Sequence, residues 1–198
     1  MPKILNELQD DHRNMARLFD LLGRELLKFK EGEHPDYDLV ESILEYCLDY
    51  PDLIHHPKED LILETLRTRN PAIVDSIGDL KKEHEKLAAS TWRFSTAVQN
   101  VLKDEQLPRD WFLDVGNDYL NLSRNHMQME EVLFFPAARK DLKPADWKEL
   151  ELAVENAEDP VFGEVKHERY SNLFQKIMDW GKMPEDEAET PKEKSKTG

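Results

Sequence analysis

Four histidines and two glutamates fall where apolar side chains belong. His12, His55, His84 and His126 each interrupt a stripe of apolar residues spaced alternately three and four apart. His55 is followed four residues later by Glu59, and His126 by Glu130. On a helix that spacing puts both members of a pair on one face. A lone histidine on such a face is ordinarily a satisfied core residue; four of them, one per stripe, with two carboxylates, make a set of metal donors. A carboxylate carried into a core must be paired or bind a cation. Few basic residues share these stripes, with Lys58 and Arg124 nearby. Imidazole and carboxylate donors without a thiolate suit iron, manganese or zinc rather than softer metals.

The stripes define the elements that position these groups. The first runs through Leu5, Leu8, His12, Met15, Phe19, Leu22, Leu26 and Phe29 and stops at the loop GEHPD. The second runs from Val40 through Leu44, Leu48, Pro51, His55 and Glu59 to Leu66. The third runs from Ile73 through His84 to Val101, and the fourth from Val115 through His126 and Glu130 to Ala137. Each stripe predicts a helix with one core-facing side. Short connections predict antiparallel neighbours, hence an all-α, up-down-up-down four-helix bundle. The histidines lie about nine to thirteen residues from one common end, or roughly 14–20 Å along the axis at 1.5 Å per residue. The four imidazoles therefore fall in one layer.

The two halves of the chain repeat. His84 follows His12 by 72 residues and His126 follows His55 by 71; DDHRNM matches KEHEKL, and HHPKED matches HMQMEE. Two helical hairpins, each giving His and then HxxxE, predict a pseudo-twofold site for two metal ions bridged by Glu59 and Glu130. Open positions would take water, hydroxide, O2 or another small molecule. Pro57 stands between His55 and Glu59, inside the helix, where proline loses a backbone hydrogen bond. It is expected to kink the helix and aim both donors at the metals, with Pro51 adding a second bend.

Composition narrows the function classes. The chain has 198 residues, 35% of them charged, only 7 glycines and a formal net charge of −15. That suits long helices, and it repels phosphate backbones and anionic lipid, so neither nucleic acid nor membrane is an expected partner. One cysteine, Cys47, excludes an internal disulfide and a Cys-rich zinc site. No signal peptide is apparent, and a cytoplasmic location is expected. Residues 1–142 read as the bundle. Residues 143–181 read as an extension packed on it, with two short helices over about 144–157 and 163–180. The charged segment 182–198 reads as a disordered tail.

The ordered set DH, HHPKED, EH and HMQMEEVLFFP resembles the hemerythrin-like (HHE cation-binding) family, and DWKELELAVENAEDPVFG is similar to the C-terminal part of its bacterial members. The resemblance spans roughly residues 3–178. It implies a non-haem di-iron centre, two oxo- or hydroxo-bridged iron ions with manganese or zinc as substitutes. The implied ligands are His12, His55, Glu59, His84, His126 and Glu130. Oxygen-carrying members use two histidines four apart on the third helix. Here Leu80 and Ala88 occupy those positions around His84, leaving one ligand unaccounted for. On helix four those members use a histidine and an aspartate five apart, where this chain has HxxxE. The pattern therefore implies binding or sensing of O2, NO or redox and iron state rather than oxygen carriage. The alternative is a di-iron enzyme acting on peroxide or NO, or donating iron for cluster repair. The expected partners are a small diatomic ligand or peroxide, with the chain a monomer or homodimer.

Other polar residues read as bystanders. His56 lies about 100° around the helix from His55 and reads either as a residue standing just behind the ligands or, the favoured reading, as a surface residue. Asp60 and Glu131 are expected to face solvent or a neighbouring helix. His34 and His167 lie out of reach. Cys47, Met127 and Met129 read as packing residues, as do Trp92, Trp111, Trp147 and Trp180.

Overall fold

The computed structural model describes residues 2–103, 105–154 and Leu173. The helix expected over 163–180 (Leu173 apart), His167, Trp180 and the tail 182–198 lie outside the described residues. The helices are α1 (Lys3–Glu31), α2 (Tyr37–Tyr50), α3 (His56–Arg69), α4 (Pro71–Ile77), α5 (Leu80–Leu102), α6 (Arg109–Met129), α7 (Phe135–Asp141) and α8 (Pro144–Ala153). A π-helical turn, Pro51–His55, joins α2 to α3, and a second, Glu130–Phe134, joins α6 to α7. Each of these composite helices is one rod of the bundle. With α1 and α5 they form the expected four antiparallel rods, α1 and α5 each lying against both α2 and α6.

Local chemistry sets the ends. Gly32 closes α1 in the left-handed region at φ 86°, and Asp36 opens α2 by accepting from the Leu39 N–H at 3.0 Å. The third stripe departs from expectation. Its apolar pattern predicts one helix from Ile73, but the chain makes a separate α4 and starts α5 only at Leu80. Gly78 sits at φ 96° and ψ −162°, a conformation essentially reserved for glycine. Asp79 then caps α5 through the Lys82 N–H. Periodicity alone carries no sign of this break.

Two apolar cores fill the bundle, separated by the histidine layer. One holds Met15, Phe19, Leu44, Tyr50, Phe94, Tyr119 and Leu120. The other holds Leu5, Leu8, Ile62, Leu80, Phe134 and Trp147. On every rod the histidine lies between a residue of one core and a residue of the other. Gly116 allows close approach of α6 to α1, since a Cβ there would meet the Leu26 methyls at 2.7 and 2.8 Å.

Beyond the bundle, α8 starts at Pro144 and ends at Ala153 rather than near 157. Arg69 holds it through paired hydrogen bonds of 2.9 and 2.6 Å to Asp146. Leu173 is buried in the core that contains Tyr119. Trp147 is buried as expected, but Trp92 is exposed, correcting its reading as a core or helix-packing residue, and Trp111 is partly exposed. Trp111 lies under the Arg93 guanidinium. Among the described residues no helix is long and apolar enough to cross a membrane.

Candidate metal centre

The two π turns share a chemical cause. Pro57 and Pro136 each follow the last residue of a π turn by two positions. In a regular α-helix a proline ring presses on the carbonyl four residues back. Widening the preceding turn relieves that contact, and the bonds then reach five residues back, from the His56 N–H to the Pro51 carbonyl and from Phe135 to Glu130. One inserted residue shifts the helical register by about 100°. The expected kink at Pro57 is thus a bulge rather than a break. Across it His55 and His56, adjacent in sequence, are both buried, at 1% and 8% exposure. The surface placement favoured for His56 is therefore overturned, and the alternative of a place beside the ligands is the one that fits. Its ring stacks on His84 with centroids 3.9 Å apart and planes 7° apart.

All six sequence-predicted donors meet in one layer. Glu59 and Glu130 are wholly buried at its centre. Glu59 directs Oε1 at His55 Nε2 (3.2 Å) and His12 Nε2 (3.7 Å), and Oε2 at His84 Nε2 (3.5 Å). Glu130 directs Oε2 at His12 Nε2 (3.3 Å), and Oε1 at His126 Nε2 (3.1 Å) and His84 Nε2 (3.7 Å). Each carboxylate thus gives one oxygen to the His12–His55 half and the other to the His84–His126 half. Donor atoms of His12, His55 and Glu59 lie within 4.8 Å of one another, and so do those of His56, Glu59, His84 and His126. Donors bound to one ion at about 2.0–2.2 Å are at most about 4.4 Å apart, so both groups are close to a coordinating arrangement.

The outer nitrogens are held by a second set of carboxylates. His55 Nδ1 donates to Asp11 at 3.0 Å, His12 Nδ1 to Glu131 at 3.0 Å and His126 Nδ1 to Glu83 at 3.2 Å. His84 Nδ1 stands 3.7 Å from Asp60, ion-pair range rather than a hydrogen bond. An ionised carboxylate can only accept, so these contacts set Nδ1 as the donor and aim Nε2 at the layer. Each supporting acid neighbours a donor from another rod: Asp11 beside His12, Asp60 beside Glu59, Glu83 beside His84, Glu131 beside Glu130. The internal repeat therefore extends beyond the donors. Asp60 and Glu131 do face neighbouring helices, and their partners there are site histidines. Tyr50 adds an O–H donated to Asp11 at 3.1 Å.

The polar atoms of this layer are not satisfied by one another. Both oxygens of Glu59 and of Glu130, and Nε2 of His84 and His126, are buried without a hydrogen bond. They lie within ion-pair range but not in hydrogen-bond alignment. Nearby cations are engaged elsewhere, Lys58 with Glu7 at 3.6 Å and Arg124 with Asp20 at 2.8 Å. Without metal the charges are settled by protons. Burial opposes a charged His55, but Glu59 and Asp11 outweigh it and raise its pKa to about 10. Burial likewise opposes His84, which Glu130 and Glu59 raise to about 9. Burial and Glu130 push Glu59 upward, yet the facing histidines, His55 first, bring it down to about 2. Convergent side chains and unsatisfied lone pairs fit a metal-binding centre.

The remaining candidates fall outside the layer. His34 hydrogen-bonds within its loop. Cys47 is a buried thiol in the core. Met127 and Met129 pack on opposite cores, as expected. The sequence reading missed His56 as a member of the cluster, and the available signal was Pro57, whose accommodation shifts the register. Comparison with known families matches residues 3–138 to the hemerythrin HHE cation-binding domain. No curated protein and no solved structure matched this chain.

Proposed function

The chain belongs to the hemerythrin HHE cation-binding domain family, and from that premise we propose that its buried layer is a di-iron centre that binds or senses a small molecule such as O2 or NO. The observation that carries this reading is the splitting of Glu59 and Glu130, one oxygen of each toward either half of the layer. That is the disposition of bridging carboxylates. His12 and His55 would complete one half, and His84 and His126 the other. His56 would join the second half, supplying the ligand that the third helix lacks. Iron, when bound, supplies Lewis acidity and one-electron redox capacity. The protein's own residues orient the imidazoles through Asp11, Glu83 and Glu131, and two apolar cores limit water on both sides of the layer.

Anaerobic loading with ferrous iron, then air oxidation, tests the reading. Two irons per chain and the near-ultraviolet absorption of a bridged diferric pair are expected, with spectral change on exposure to NO. A chain that stays colourless and iron-free overturns it.

A further inference from the structure

The four acids behind the imidazoles are not alike. The Asp11 side chain is 9% exposed, whereas those of Glu131, Glu83 and Asp60 are 35%, 40% and 42% exposed. An exposed carboxylate can fill its spare lone pairs with water, but a buried one needs donors from the protein. Tyr50 is such a donor. Its O–H and the Nδ1–H of His55 reach the same atom, Oδ2 of Asp11, at 3.1 and 3.0 Å. Tyr50 is itself buried, with its ring stacked on Tyr46 at a centroid distance of 5.5 Å.

The π turn explains how one oxygen meets both groups. Tyr50 is the residue before that turn and His55 is its last. In a regular α-helix residues five apart point about 140° away from each other. A turn closed by hydrogen bonds five residues back brings such a pair toward one face. The other half of the repeat lacks this arrangement. The place 71 residues after Tyr50 holds Asn121, which is exposed, and the second π turn begins only at Glu130, after His126. The device therefore belongs to the His12–His55 half alone.

We propose that Tyr50 is a positioning residue that raises the reduction potential of the metal held by the His12–His55 half, acting through Asp11 on His55. The proposal rests on the di-iron reading and deepens it by assigning the two halves different redox behaviour. A carboxylate that accepts strongly from Nδ1–H makes the imidazole a better electron donor at Nε2. A second donor on the same oxygen draws charge from it and loosens its hold on the ring. His55 then donates less to its metal, which favours the lower oxidation state.

The test is a potentiometric titration of the iron-loaded full chain, followed by near-ultraviolet absorption, with iron content measured in parallel. Tyr50→Phe keeps the ring and removes only the hydroxyl. It is expected to retain two irons and to shift one one-electron equilibrium about tenfold toward the oxidised form, about 59 mV lower. In the zinc-loaded chain the His55 Nδ1–H proton resonance should move downfield, reporting a stronger hydrogen bond to Asp11. Tyr46→Phe, which removes a hydroxyl from the neighbouring buried ring, is the control and should leave both readouts in place. An unchanged potential or resonance in Tyr50→Phe at full metal content overturns the proposal and leaves the metal centre standing. Equal shifts in the two variants, or loss of iron from Tyr50→Phe, overturn it as well, since Tyr50 would then serve packing or assembly of the site. Failure of the unaltered chain to take up iron overturns the di-iron reading and the proposal with it.

Discussion

The Nε2 atoms of His12 and His55 face each other at 3.1 Å, while the Nδ1 of each ring donates to a carboxylate. With both outer nitrogens protonated, two neutral rings would present lone pair to lone pair. The contact is stable only with a cation between or beside the rings, either a proton or a metal. The metal-free protein therefore holds protons that a metal must displace.

Metal uptake should accordingly release protons and strengthen as pH rises. His55 and His84, with pKa values of about 10 and 9, are protonated at neutral pH in the metal-free protein. Affinity for ferrous iron or zinc should rise steadily from pH 6 to 8, and a weakly buffered solution should acidify on metal addition. Affinity independent of pH over that range would contradict the assigned protonation.

The same groups set the pH dependence of the metal-free fold. Histidines whose folded pKa lies above the ordinary 6.5 contribute stability that is complete below 6.5 and lost as pH rises through about 9 and 10. Glu59, lowered from 4.5 to about 2, contributes stability present above 4.5 and lost as pH falls through about 2. Thermal melts of the metal-free chain should be highest between these windows and decline toward pH 10. Metal-loaded protein should resist the alkaline decline, because the metal replaces the protons that offset Glu59 and Glu130.

Asp11→Asn and Glu83→Gln should each weaken metal binding by about 10–100-fold while leaving helicity unchanged, since both residues fix the ring that points into the layer. Competition with a chromophoric chelator would measure this. Wild-type affinity in both variants would show that these acids do not position the imidazoles for metal.

His56→Ala should lower the affinity of one metal and spare the other, shifting stoichiometry from two toward one at limiting iron. The loop variant His34→Ala is the control and should retain both. Equal loss at both sites, or none, would remove His56 from the ligand set.

Pro57→Ala lifts the steric demand for the π turn. The metal-free fold should become no less stable, because a regular helix regains a hydrogen bond. Metal affinity should fall, because His55 and His56 would lose their joint inward placement. A variant with reduced thermal stability and normal affinity would show that the bulge serves packing rather than the site.

Much of this was legible in the sequence because helical periodicity is a strict ruler. Four apolar stripes predicted four rods, and residue counts from a common end predicted one histidine layer. The side chains of His12, His55, Glu59, His84, His126 and Glu130 do meet. The ruler gave less where one residue was inserted or a glycine intervened. It carried the second helix through Pro57 without a shift, which put His56 outside, and it ran the third helix through Gly78, where the backbone turns.

By itself, then, the sequence determined the number of rods, the depth of the polar layer and the side chains that occupy it, because each depends on spacing within one helix. The tertiary structure alone decided how the donors are held. Asp11 meets His55 across 44 residues and Glu131 meets His12 across 119. Such contacts depend on the rotation of one rod against another, which a register shift of a single residue alters by about 100°. The inward turn of His56 follows from the same rotation.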